Sequence, residues 1–502
     1  MRISGIAPGV KVRIEYGELD PLYAPDVDCR LLFLGEHLQP LVHAYEDLAR
    51  CFAASSDPSS LAATLESSSE IQKYYEIRRN GGLSAVLRDS VFRQQGPFDD
   101  RKLRLRFSRA EKSVSYPLPL RRWGALGRFW PLLGSNRTQE EIVALLKSDL
   151  PGDDAAWAAE LLALLETQQL LDHQPRDAGF LRRPAPRVTF MGHTSLLFQS
   201  ERSAVLTDPL LPTEAAYARS ALAVQQIRLG AICCSHHHWD HCNFQTLMGF
   251  DKNTPVVVPR VERPSAFNPP IAGALQMLGF TDIREARLWE PMQIEDIEII
   301  PTPFYGEQDE PGAECDHYTY VLRTKDLTVY GGVDCFRDTF GETVDLMEEI
   351  RERYRPQIVF LPISKSVFSY RYGGANGFCR YLDQELVTQS FQYTAGPEEA
   401  AEWVSRLDAP LVTPYAIFTF SRWSMPPVVA QFHDALRARG LGERLYPLRP
   451  LDSLGLPALA GAPPAGRNAA VALFRAGAQM SRLRGSPPYR LARRVMKSLH
   501  LA

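Results

Sequence analysis

The run Ser235-His236-His237-His238-Trp239-Asp240-His241 constrains this chain more than any other feature. It follows the apolar segment Ala231-Ile232-Cys233-Cys234, which reads as a short strand. The polar cluster therefore sits at a strand end, where α/β architectures build their sites. Imidazoles and a carboxylate so close together suit one first-row metal, or two metals side by side. A turn can aim His236 and His238 at one ion and Asp240 and His241 at the other. His237 and Trp239 occupy the intervening positions, where an extended turn points side chains away from the ions. Trp239 is expected to pack on the strand end.

The rest of the chain must supply a scaffold. At 502 residues it is too long for one ordinary core. An apolar content of 45% with 23% charged residues excludes disorder throughout. The formal charge of -3 gives no sign of a nucleic-acid partner. The N-terminus lacks an apolar stretch of leader type and no run approaches membrane-spanning length, so the expectation is a cytoplasmic protein without a membrane partner. Eight scattered cysteines without CxxC spacing fit reduced thiols, not a disulfide framework or zinc ribbon.

Pattern and punctuation predict three regions. Residues 1–180 read as a mixed α/β N-terminal domain, used for docking or dimerisation, with helical character at 48–75 and an extended segment at 113–120. Thr138 and Glu141 are spaced to form a capping box, and a second amphipathic helix follows over 154–171. Helix, loop, helix and a closing Leu-Leu over 120–172 resemble a winged-helix module. A Pro- and Arg-rich linker at 173–187 precedes the main domain, 187–455. Strands are expected there near 188–191, 195–198, 204–207, 231–234, 255–258, 297–300, 318–322, 327–330, 358–361 and 411–413, with helices at 343–354 and 397–407. A basic tail, 456–502, closes the chain: from Ser453 onward there are eight Lys/Arg and no Asp or Glu.

The HxHxDH motif, with "VTFMGHTSLLF" and "VLTDP" before it and "PEEAAEWVSRLDAPLVTPYAIFTF" after it, resembles the metallo-β-lactamase superfamily from Val188 to about Leu451. The resemblance implies an α/β fold, an αββα sandwich preceded by the N-terminal domain. It also implies that Asp208 and Gly192-His193 lie beside the metal motif as supports, not ligands. Two positions depart from the hydrolase pattern. Where a third histidine is expected, the chain reads Pro303-Phe304-Tyr305-Gly306-Glu307; where the last is expected, it reads Thr413-Pro414-Tyr415-Ala416-Ile417. Asp334, closing "LTVYGGVD", keeps the bridging position. The expected metal set becomes His236, His238, Asp240, His241, Glu307 and Asp334. Asp309 and Glu310 are neighbouring carboxylates that compete with Glu307. A carboxylate-rich set with an open coordination position suits iron better than zinc.

The same residues make the chain similar to the di-iron β-hydroxylases of nonribosomal peptide synthesis, the chloramphenicol-pathway amino-acid hydroxylase type. Glu307 lies 71 positions after His236 and Asp334 lies 27 after Glu307, spacings of the kind expected of that family. The resemblance implies a non-haem di-iron monooxygenase that β-hydroxylates an aminoacyl group tethered to a peptidyl-carrier domain. Two iron ions, O2 as co-substrate and an external electron donor or reductase are implied, with Glu307 and Asp334 in catalytic roles. A homodimer is the default assembly. Aromatic residues at 368, 370, 372, 378, 415, 418 and 420 are candidates for the acceptor pocket, and Arg371 and Arg380 for a phosphopantetheine phosphate. Two alternatives stand beside this reading. One is a di-zinc hydrolase of phosphodiesterase or lactonase type that recruits His317; the other is a non-catalytic docking protein.

Overall fold

The computed structural model describes residues 1–17, 27–54, 57–79, 83–176, 179, 181, 185–212, 217–266, 268–305, 316–335, 341–363, 367–369, 390–392, 395–416 and 425–455. The basic tail, Glu307 with Asp309 and Glu310, and the candidates Tyr370, Arg371, Tyr372, Phe378, Arg380, Phe418 and Phe420 lie outside the described residues.

Two sheets stack to form the main body. The first has seven strands, in the spatial order Ile283–Ala286, Val256–Pro259, Ala231–Cys233, Ala204–Thr207, Ser195–Gln199, Arg187–Gly192, Ser453–Gly455. The second has six, in the order Met292–Ile294, Ile297–Pro303, Tyr318–Arg323, Thr328–Gly331, Ile358–Pro362, Leu411–Tyr415. The two-residue period of a strand sends neighbours to opposite faces. Phe198, Val205, Ala231, Cys233 and Val257 accordingly face the second sheet and share its core. Leu197, Leu206, Ile232, Val256 and Val258 belong to a different core on the outer face.

Helices cover both outer faces, which completes the αββα layering expected from the sequence. Glu342–Tyr354, Pro397–Leu407 and Met425–Ala438 bury Leu346, Met347, Trp403, Val404 and Phe432 against the second sheet. The outer face of the first sheet is covered differently. Its core runs without a break into the N-terminal portion, taking in Ile14, Leu31, Phe107, Trp123, Phe129 and Leu161.

The N-terminal portion contains a three-stranded antiparallel sheet, Lys11–Tyr16, Leu103–Arg109 and Lys112–Pro117, and helices Trp123–Leu133, Gln139–Asp149 and Gly152–Thr167. Thr138 Oγ1 accepts from the Glu141 N–H at 3.3 Å, and the Thr138 N–H donates to Glu141 Oε2 at 2.8 Å, the capping box read from the sequence. The helical stretch expected over 48–75 is three helices: Leu38–Ala54, Pro58–Ser67 and Ser69–Tyr74. Asp57 and Ser68 accept backbone N–H groups at the two restarts, because these side chains compete for the backbone and favour caps over helix interiors. Among the described residues, no helix is long and apolar enough to cross a membrane.

Candidate metal centre

Loops from both sheets converge at one end of the sandwich. Ala204–Thr207 and Ala231–Cys233 run parallel and deliver Asp208 and the 235–241 loop from their carboxyl ends. Thr328–Gly331 delivers Asp334 from the other sheet. The tight turn between Arg187–Gly192 and Ser195–Gln199 carries His193. Two hydrogen bonds tie the layers together here. The Tyr318 N–H donates to the Ser235 carbonyl at 3.2 Å, and the Tyr320 hydroxyl donates to Thr207 Oγ1 at 2.9 Å. Gly331 leaves room for that tyrosine, since a Cβ there would meet the Tyr320 ring at 2.3 Å.

Five of the six residues expected from the sequence come together: His236, His238, Asp240, His241 and Asp334 are all buried. The sixth, Glu307, lies outside the described residues. His236 Nε2 stands 2.9 Å from His238 Nδ1, and His241 Nε2 stands 3.0 Å from Asp334 Oδ2. Asp208, fully buried, organises the group from behind. Its Oδ1 accepts from the Ser235 N–H at 2.7 Å; its Oδ2 accepts from the Ser235 hydroxyl at 2.8 Å and faces His241 Nδ1 at 3.1 Å. A proton held on Nδ1 by that carboxylate leaves Nε2 with its lone pair toward Asp334, the outer support typical of histidine ligands.

The electrostatics suit a cation. Burial, together with like-charged neighbours, holds the imidazoles of His236, His237 and His238 well below the usual histidine range, which keeps them neutral. Burial acts against ionisation of Asp240, but the imidazoles of His241 and His193 outweigh it and hold the carboxyl below its usual range. Burial also opposes charge on His241, yet the carboxylates of Asp334 and Asp240 prevail and raise it. Asp240 Oδ1 and Asp334 Oδ1 are buried without a hydrogen-bond partner among the described residues. Buried carboxylate oxygens of this kind are stable when paired with a cation or a metal. The donors therefore fit one or two metal ions.

Three residues outside the six expected ligands also meet here. His193, expected as a support, joins Asp240, His241 and Asp334 in a cluster whose ligand atoms all lie within 4.8 Å of one another. His317 is buried, its ring centroid 5.0 Å from that of His236 and 5.3 Å from that of Phe304. Neither of its ring nitrogens has a hydrogen-bond partner among the described residues, and burial with the nearby Arg30 charge pushes its pKa down to about 3. Arg30 reaches in from the N-terminal helix Cys29–Leu34, its Nε donating to His237 Nε2 at 3.1 Å. His237 is thus turned toward the N-terminal portion. Trp239 lines a crevice of about 340 Å³ between the strand Lys11–Tyr16 and the loops after Asp208. The glycine-histidine turn was the available sequence signal for His193; Arg30, more than 200 positions from its partner, offered none.

Residues 187–416 match the Beta-lactamase superfamily domain. The chain is 26% identical over 164 residues to the 4-amino-L-phenylalanyl-[CmlP-peptidyl-carrier-protein] 3-hydroxylase of Streptomyces venezuelae, a match covering 32% of this chain and 30% of that protein. The matched segment thus spans under a third of that relative's length. The crystal structure of CmlA, a diiron beta-hydroxylase from Streptomyces venezuelae, superposes with a TM-score of 0.56 at 15% identity, covering 91% of this chain and 100% of that one. A single-substitution variant of the CmlA beta-hydroxylase gives 0.53, with 90% and 100% covered. Residues 187–416 thus carry a β-lactamase-type fold, within a chain whose fold as a whole is similar to that of CmlA.

Proposed function

We propose that this protein is a di-iron, O2-dependent monooxygenase that β-hydroxylates an aminoacyl group carried as a thioester on a peptidyl-carrier domain. The observation that carries the reading is the reach of the likeness to CmlA, which extends beyond the sandwich through the N-terminal portion. The buried mixture of imidazoles and carboxylates supports it, since such sets suit iron. On this reading His236, His238 and Glu307 would hold one ion and Asp240 and His241 the other, with Asp334 completing the set.

When bound, the reduced iron pair supplies the activation of dioxygen. The chain's own residues bind, orient and exclude water. Asp208 fixes the ring of His241, Ser235 stands 3.0 Å from His236 Nδ1, and Phe304 places an aromatic wall 5.5 Å from the His236 ring. One oxygen atom enters the β C–H bond and the other leaves as water, with two electrons and two protons from an external donor protein. The N-terminal portion is the proposed docking or dimer surface, and residues 187–455 the proposed catalytic domain.

Purified protein tests this directly. Two irons per chain are expected, and after anaerobic reduction, oxygen and a loaded carrier should give product heavier by one oxygen atom. One observation favours a second reading: His317 stands beside His236 and His238 as the recruited third imidazole of a di-zinc hydrolase would. Two zincs with ester turnover, and no oxygen incorporated across a panel of carriers, would establish that reading instead.

A further inference from the structure

We propose that His193 is a ligand of the second ion, filling the place of the histidine that related hydrolases carry after their last strand. The inference rests on the two-ion reading above, whichever metal is bound. Three observations bear on it.

The first is proximity. His193 Nε2 is 3.1 Å from Asp240 Oδ2, and its ring meets the His241 ring edge-on at 5.1 Å. With Asp334 these groups make a buried set of two imidazoles and two carboxylates, enough protein donors for one ion with room for an exogenous ligand.

The second is the backbone. His193 has φ of +49°, in the left-handed region, where a non-glycine residue costs on the order of 1 kcal/mol or more. The preceding Gly192 is at +129°, and the pairing register shifts between Phe190 and Gly192. A sharp turn of this kind aims one side chain at a fixed point, and strain is tolerated where function needs it.

The third is what became of the vacated position. The strand Leu411–Tyr415 carries no histidine, yet its end still serves the site. The Ala416 N–H donates to the His193 carbonyl at 3.0 Å. The Tyr415 hydroxyl accepts from the N–H of Val333, the residue before Asp334. The last strand thus grips two ligand-bearing turns in place of offering a ligand. A mere support for Asp240 would need neither proximity to all three partners nor a strained backbone.

The test uses the full chain with cobalt in both sites. Each metal-bound imidazole contributes a hyperfine-shifted, exchangeable ring N–H resonance. His193→Asn suits the left-handed backbone and should remove one such resonance and weaken the second ion by more than about 100-fold, beyond the roughly 10–100-fold of an outer-sphere contact. His193→Gly removes backbone strain altogether, which covers the case of H193N failing to fold, and added imidazole should restore the second ion there. An unchanged resonance count with both ions held at wild-type affinity would overturn the proposal. Loading with zinc and the absence of hydroxylation would refute the oxygenase reading while leaving this ligand assignment intact.

Discussion

If the two-ion reading holds, replacing Asp208 with asparagine should cost the protein its second metal ion before it costs the fold. Asp208 has no solvent exposure and offers oxygens to three groups: the Ser235 N–H, the Ser235 hydroxyl and His241 Nδ1. An asparagine of nearly the same volume can keep the first bond through its carbonyl. Its NH2 group must then face His241 Nδ1, where two donors would meet. The ring escapes that clash by moving its proton to Nε2, the nitrogen 3.0 Å from Asp334. A protonated Nε2 cannot ligate. Loss of one charge-assisted hydrogen bond with a buried mismatch costs about 2–4 kcal/mol of stability, and loss of such outer support lowers metal affinity about 10–100-fold. Metal content after dialysis against graded chelator, with thermal melts of metal-free protein, measures both. The reasoning fails if D208N keeps two ions at wild-type affinity, since His241 would then not depend on Asp208 for its tautomer.

Three further outcomes follow from features outside the candidate ligand set. Lys252 is buried, donates to the Leu247 carbonyl at 2.8 Å and lies 4.3 Å from the Phe280 ring centroid; burial lowers its pKa to about 7. Because this folded value lies below the unfolded one, wild-type stability should fall as pH drops from about 10 toward 7, by up to about 1.4 kcal/mol per unit, and level off below; denaturant titrations of K252M should lack this slope, and a pH-independent gap between the two proteins would refute the assignment. Thr138→Ala removes the capping side chain and should cost about 1 kcal/mol, read as a lower denaturant midpoint at unchanged m-value. Arg30→Met leaves His237 Nε2 without the Arg30 donor and should cost about 1–3 kcal/mol, with faster amide exchange across residues 235–241; exchange confined to the N-terminal helix would show that the link carries no force.

The sandwich was legible because its strands are short apolar runs with turn signals between them, and runs such as 188–191, 204–207 and 358–361 fall inside the observed strands. The edge strands Ile283–Ala286 and Met292–Ile294 were missed: half-exposed and mixed in polarity, they carry no run long enough to announce themselves. The candidate ligands within 235–241 were legible because one loop holds them. His193 and His317 were harder, since their roles depend on which strand ends share an edge of the stack, and local sequence does not encode that. The helix break at Asp57-Pro58 shows a smaller failure, where apolar spacing masked a capping residue. Periodicity announces that a face is buried without saying what it is buried against, and so the partner of the first sheet's outer face could not be read.

That outer face has a practical bearing on how this protein can be cut and recombined. Leu206, Ile232, Val256 and Val258 share one continuous core with side chains from the first third of the chain, among them Trp123, Phe129 and Leu161, and the helices Phe244–Leu247 and Ile271–Met277 meet the strand Lys11–Tyr16 and the helix Cys29–Leu34. A fragment starting at the metal-bearing half would meet water with a greasy slab and clump, so loss of chemistry in such a truncation would say nothing about which residues perform it. Grafting the front portion of a relative onto this back half would demand that the whole slab be re-matched, much as two halves of a zip must come from the same garment.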